Sequence, residues 1–278
     1  MGLFTSISAA VRTRDRRRSG TRAGPWIIVN QAGCDRVSES LLVPGSVGSL
    51  RRGECLYYFQ SLPAGDLGDL HDDQIGPGDL YVRLAVASSD IWEPELVLVW
   101  GRSKEKGVIP LAMDVDLPFA LSADRKKGFA SIPIPRVELG ASDLPIQRLL
   151  LVVVTYDAPY AGTDDPIWLR VEAPGGRAVY HVITDTPQTD LEINTANIYE
   201  IPVERPFTKA ELEEAEAGQI TLGILGSDKW VPKKINLFGL DHPTARPGSI
   251  VPLVRVRDPG PLSADPTEGV PAIDLPLL

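Results

Sequence analysis

Cysteine is scarce in this chain. Cys34 and Cys55 stand alone among 278 residues, too few for a disulfide framework or a thiolate zinc site, so two reduced, unpaired thiols are expected. The three histidines, His71, His181 and His242, show no HExxH or other ligand spacing. Missing too are a GxSxG elbow, a P-loop and a GxGxxG after a strand, which leaves no catalytic residue to assign and argues against an enzyme. The longest apolar run, LLLVVV at 149–154, has the length of a buried strand and falls far short of a membrane-spanning helix, which needs about 20 residues. MGLFTSISAA lacks the charged start and apolar stretch of a secretory signal, so a cytoplasmic location is expected.

What the chain does contain is punctuation and uneven charge. Twenty-five glycines and 25 prolines divide it into short segments, as all-β folds require. The net charge is −9, yet residues 11–24, VRTRDRRRSGTRAG, hold six arginines against one aspartate. A basic tip on an acidic body suggests an interaction arm.

Self-comparison changes that reading. SDIWEPELVLVWG at 89–101 matches SDKWVPKKINLFG at 227–239, pairing Trp92 with Trp230 and Pro94 with Pro232 at an offset of 138. Val82, Leu84 and Val86 correspond to Ile220, Leu222 and Ile224, a period-2 strand in each copy. LRRGECLYYF resembles LEINTANIYEI, VIPLAMDV resembles IVPLVRV, and LSAD occurs at 121–124 and again at 262–265. At an offset of 142 the arginine-rich stretch overlays VVTYDAPYAGTDD, so Thr13 meets Thr155, Gly20 meets Gly162 and Trp26 meets Trp168. Residues 11–24 therefore read as the first strand and loop of a folded copy. The expectation is a tandem duplication, copy one over 1–145 and copy two over 146–278, with the four paired tryptophans in the cores.

Each copy consists of short alternating or β-branched segments between Gly, Pro and Asp clusters, predicting an all-β protein of two tandem antiparallel β-sandwich domains. Strands are expected near 148–156, 166–173, 178–184, 197–203, 219–225 and 233–238. TKAELEEAEAG at 208–218 predicts a short helix in the second copy, with Thr208 and Glu211 as a capping box and Gly218 as its end. Copy one has an acidic, Gly-rich loop there, residues 63–79.

Copy two resembles the PLAT, or lipoxygenase-homology, family over about residues 148–240. The likeness rests on a strand leading into AGTDD at 161–165, on Leu191 and Tyr199, and on a polar loop with Trp230 before a last strand. Copy one resembles it more weakly over about 7–101, and the LSAD segments lie beyond the family's pattern. The resemblance implies a sandwich of two four-stranded sheets, a non-catalytic module that targets membranes or protein partners, often with calcium held by loops at one end.

For calcium, the resemblance designates the carbonyl of Gly162 and the carboxylates of Asp164 and Asp228, with Asp165, Asp185 and Asp190 as further oxygens. The same aspartates suit plain turns, because Asp bonds its own backbone. Copy one departs from the pattern: Arg22 replaces Asp164, and a guanidinium has only donors to offer. Arg16, Arg17, Arg18 and Arg22 then project from a sandwich-end loop toward anionic lipid, an acidic partner such as another copy of the chain, or solvent. No aromatic stacking platform accompanies them, which argues against nucleic acid. The reading is an adaptor for a membrane surface or a protein partner, with calcium as a conditional aid. A structural or assembly subunit of a particle, filament or larger complex is the alternative, with self-assembly as one form of partnership.

Overall fold

The computed structural model describes residues 4–15, 20, 25–31, 54–61, 80–86, 89–175, 177–183, 191, 195–215 and 220–278. The chain divides into two compact units, Met1–Leu139 and Gly140–Leu278, and it is all-β.

The first unit contains β1 (Phe4–Thr13), β2 (Trp26–Gln31), β3 (Cys55–Ser61), β4 (Leu80–Ala85), β5 (Pro94–Ser103), β6 (Gly107–Val115) and β7 (Ser131–Ile134), and ends at the two-residue β8 (Glu138–Leu139). One sheet runs β6-β5-β1-β3 and the other β2-β4-β7, with every neighbouring pair antiparallel. The second unit contains β9 (Ile146–Thr155), β10 (Ile167–Ala173), β11 (Arg177–Ile183), β12 (Ala196–Phe207), the helix α1 (Lys209–Glu213), β13 (Ile220–Ile224), β14 (Pro232–Leu240), β15 (Ser249–Arg257) and β16 (Ala272–Asp274). Its sheets run β15-β14-β9-β12 and β11-β10-β13-β16, again antiparallel.

The strand order of the first unit thus recurs in the second, down to its irregularities. The β5–β6 register shifts between Val99 and Trp100, and the β14–β15 register between Leu237 and Phe238. In each case one leucine, Leu111 or Leu253, is left opposite no partner, beside Pro110 or Pro252. Proline cannot donate to the ladder, and a bulge is where a sheet accommodates it. Asp116 and Asp258, each just past its strand, both adopt left-handed φ, 51° and 49°, a region that aspartate tolerates better than most residues.

Burial explains the two kinds of strand pattern. In β9 Leu149, Leu150, Leu151, Val152 and Val153 are all fully buried, so this strand is covered on both faces and reads as an unbroken apolar run. In β10 Ile167, Leu169, Val171 and Ala173 are buried while Trp168, Arg170 and Glu172 are not, giving alternation. Leu149, Leu151 and Val153 pack with Ile167, Leu169, Val171, Leu222 and Trp230 in the second core. Ile7, Ala9, Val97, Ile27, Leu84 and Trp92 build the first.

Two expectations change here. Trp92 and Trp230 are core residues, but Trp26 and Trp168 are only half-buried, because the strand period turns Ile27 and Leu169 inward instead. Trp168 lies across Gly223, where a Cβ would strike its ring, and leans on Tyr180 at 5.8 Å between centroids. The helix keeps its capping box, Thr208 Oγ1 accepting from Glu211 N and Glu211 Oε2 from Thr208 N, but is five residues long, with Glu214 as its C-cap. Gly218, the loop 63–79 and Cys34 lie outside the described residues.

Candidate functional site

The repeated motifs converge on one end of each sandwich. In the second unit the Trp230 indole N–H donates to Thr155 Oγ1 at 3.1 Å, and Trp230 exchanges two backbone bonds with Leu262. Ser263 Oγ donates to the carbonyl of Ser227 at 2.7 Å and accepts from Asp265 N at 3.0 Å. The first unit repeats the set: Trp92 to Thr13 Oγ1 at 3.1 Å, Trp92 with Leu121, Ser122 Oγ to the carbonyl of Ser89 at 3.1 Å, and Asp124 N to Ser122 Oγ at 3.2 Å. The LSAD segments therefore clamp the tryptophan loops. Leu121 and Leu262 bridge Phe129 and Val270 in parallel fashion. The residues between, Gly128 and Gly269, meet backbone so closely that a Cβ would collide with the carbonyls of Ala120 and Pro261. Thr267 bonds Asp265 through both its N–H and its hydroxyl, which holds that carboxyl below its usual range.

At this end of the second unit lie the three residues first designated for calcium. Gly162, Asp164 and Asp228 sit on loops joined by the bond from Val231 N to the carbonyl of Ala161, 2.8 Å. Asp164 and Asp228 are exposed. Asp165 has a part in the fold: its carboxylate accepts from Asp228 N at 2.7 Å and fills the space that a Cβ on Gly226 would need. Asp185 and Asp190 lie outside the described residues, although Leu191 bridges Thr163. Among the described residues no group of three or more His, Cys, Asp or Glu is close enough to hold a metal ion. Loop tips here carry exposed apolar side chains, Tyr160 at 83%, Leu225 at 52% and Val270 at 48%. Tyr160 also adopts a left-handed φ of 61°, uncommon for a bulky residue.

In the first unit Arg16, Arg17, Arg18 and Arg22 lie outside the described residues. Arg14, just past β1, bonds the Glu93 carbonyl through its N–H and the Leu117 carbonyl through its guanidinium, so β1 ends beside the start of segment 117–129. That segment presents side chains that no motif marks. Phe119 and Phe129, 47% and 56% exposed, meet edge to face at 5.4 Å, and Ile91 is 37% exposed. Arg125, Lys126 and Lys127 stand exposed between the two rings in sequence. A signal for them is present in the duplication: aligned on LSAD, DRKKGF faces DPTEGV, the same turn with opposite charge.

No protein-family model matches the chain, and no curated protein matches it. Among solved structures it is similar to the alpha toxin of Clostridium absonum, at 14% identity and a TM-score of 0.38 over 49% of this chain and 32% of the toxin. The alpha-toxin of Clostridium perfringens, avian strain SWCP, gives 14% and 0.36 over the same shares. The chain spans about a third of either toxin's length, and likeness at this level carries no functional argument.

Proposed function

We propose that the chain is a non-catalytic binding protein, built by tandem duplication of a PLAT-like β-sandwich, that docks by its loop ends on a membrane surface or a protein partner. The observation that carries this is the loop end of each unit: large apolar side chains, Phe119 and Phe129 in the first and Tyr160 and Leu225 in the second, stand in water on a frame of Trp–Thr and LSAD bonds. A frame that rigid limits the ordering cost of docking, and exposed aromatics on it are contact material. Duplication is supported by the shared strand order, the matched bulges and the matched clamps.

Calcium assistance in the second unit is supported by the meeting of loops 161–165 and 226–231, which brings exposed Asp164 and Asp228 to one end. Calorimetric titration of calcium into wild type and into Asp164→Ala with Asp228→Ala tests it; equal, featureless traces remove the metal. Docking is tested by vesicle co-sedimentation with and without calcium, beside light-scattering chromatography at several salt concentrations. A salt-insensitive monomer that binds no vesicle would exclude both membrane docking and self-assembly.

A further inference from the structure

The two LSAD turns form an internal control. Both close with the same backbone bonds: Ser122 N to Phe129 O and Ser263 N to Val270 O, Phe129 N to Ala120 O and Val270 N to Pro261 O, Gly128 N to Asp124 O and Gly269 N to Asp265 O. Folding this turn therefore requires neither a cation nor an aromatic ring, since Pro266, Thr267, Glu268 and Val270 accomplish it in the second unit. Lys127 is held locally, its Nζ reaching the Ser89 carbonyl at 3.1 Å and Asp124 at 3.6 Å. Among the described residues, Arg125 and Lys126 have no such side-chain anchor, and Phe119 and Phe129, in contact with each other, stay largely exposed.

We propose that this end of the first unit docks on anionic lipid, with Phe119 and Phe129 entering the headgroup–acyl boundary and Arg125 and Lys126 lying over the phosphates. The proposal rests on the docking function above and names its surface and ligand class. Charge selects the ligand: on a chain of net charge −9, a locally cationic apolar tip is complementary to an anionic surface. The rings select a bilayer over nucleic acid, because an 84° edge-to-face pair presents no parallel platform for bases. Long cationic side chains beside shallowly inserted rings extend to the headgroups while the rings leave water.

The test is co-sedimentation of the full chain with vesicles of phosphatidylcholine plus phosphatidylserine, and of phosphatidylcholine alone, over a range of salt. Wild type should bind the mixed vesicles, lose affinity as salt rises, and ignore the neutral ones. Arg125→Gln with Lys126→Gln should weaken binding roughly thirtyfold, and Phe119→Ser with Phe129→Ser about tenfold or more. Thermal melts establish folding, and the glutamine pair preserves the readout should the serine pair unfold. Equal vesicle binding by wild type and both double variants overturns this site and leaves membrane docking standing. No vesicle binding by wild type overturns the site together with the membrane reading. Loss of self-association or of single-strand DNA binding in both variants, without vesicle binding, replaces lipid by another partner and also overturns it.

Discussion

Trp92 and Trp230 are fully buried, yet each carries one polar edge, and a buried indole N–H without an acceptor is costly. Thr13 and Thr155 supply the acceptor, and both hydroxyls are themselves buried. Trp230→Phe keeps most of the apolar area and removes that bond, so chemical denaturation should show a loss of about 1–2 kcal/mol. A double-mutant cycle with Thr155→Val should return a coupling of about 1 kcal/mol. Asp165→Ala removes a carboxylate bond to the Asp228 N–H and should cost about 1–2 kcal/mol. Lys234 behaves differently. Burial first, then Arg257, Lys233 and Arg255, push its amine down to about 8 from 10.5, with Asp258 opposing them. Because the folded value is the lower one, the unfolded chain holds the proton more tightly. The charge therefore costs stability in full below pH about 8, and the cost fades as pH rises toward 10.5. Lys234→Met should raise stability near neutral pH by about 1 kcal/mol, after allowance for solvent screening. The difference between the two proteins should vanish in urea melts above pH 10.5.

Among elements, the proline bulges show how the sheets keep register. With Leu253 removed, Pro252 and Val254 would be adjacent as Phe238 and Leu237 are, so the bulge would close with the same partners on either side. Deleting Leu253 should therefore preserve the register and cost about 2–5 kcal/mol through the lost burial of its side chain in the second core. Deletion in the exposed turn 242–246 should be milder, and paired melts would establish the contrast. The helix is a lesser element: Thr208→Ala should cost about 1 kcal/mol through the lost cap. Its one buried anchor is Leu212.

For the whole molecule, the central question is whether the arginine-rich start belongs to a fold. β1 pairs with β3 on one side and β5 on the other, and Ile7, Ala9 and Val11 lie in the first core. Removing residues 1–24 should therefore abolish cooperative unfolding of the first unit and expose it to limited proteolysis. An unchanged calorimetric trace would restore the idea of a tail. The charge asymmetry is also a property of the whole chain, since the same LSAD turn is cationic in one unit and acidic in the other.

The sequence by itself determined the all-β class, most strands of the second unit, the correspondence of Trp92 with Trp230 and the capping box of α1. Periodicity, capping and spacing are local properties, and local chemistry suffices to express them. The grouping of Gly162, Asp164 and Asp228 came from the family resemblance, not from periodicity or spacing. Tertiary structure alone decided which residues in their loops face water. Nothing in AGTDD says that Asp165 turns inward to accept the Asp228 N–H while Asp164 stays exposed. That choice depends on Gly226, far along the chain, leaving room for the carboxylate. Likewise DRKKGF is an ordinary charged turn until the bridge from Leu121 to Phe129 and the contact of Phe129 with Phe119 make it the exposed tip of a rigid sandwich end. Solvent exposure is created by long-range packing, and no window of sequence contains it.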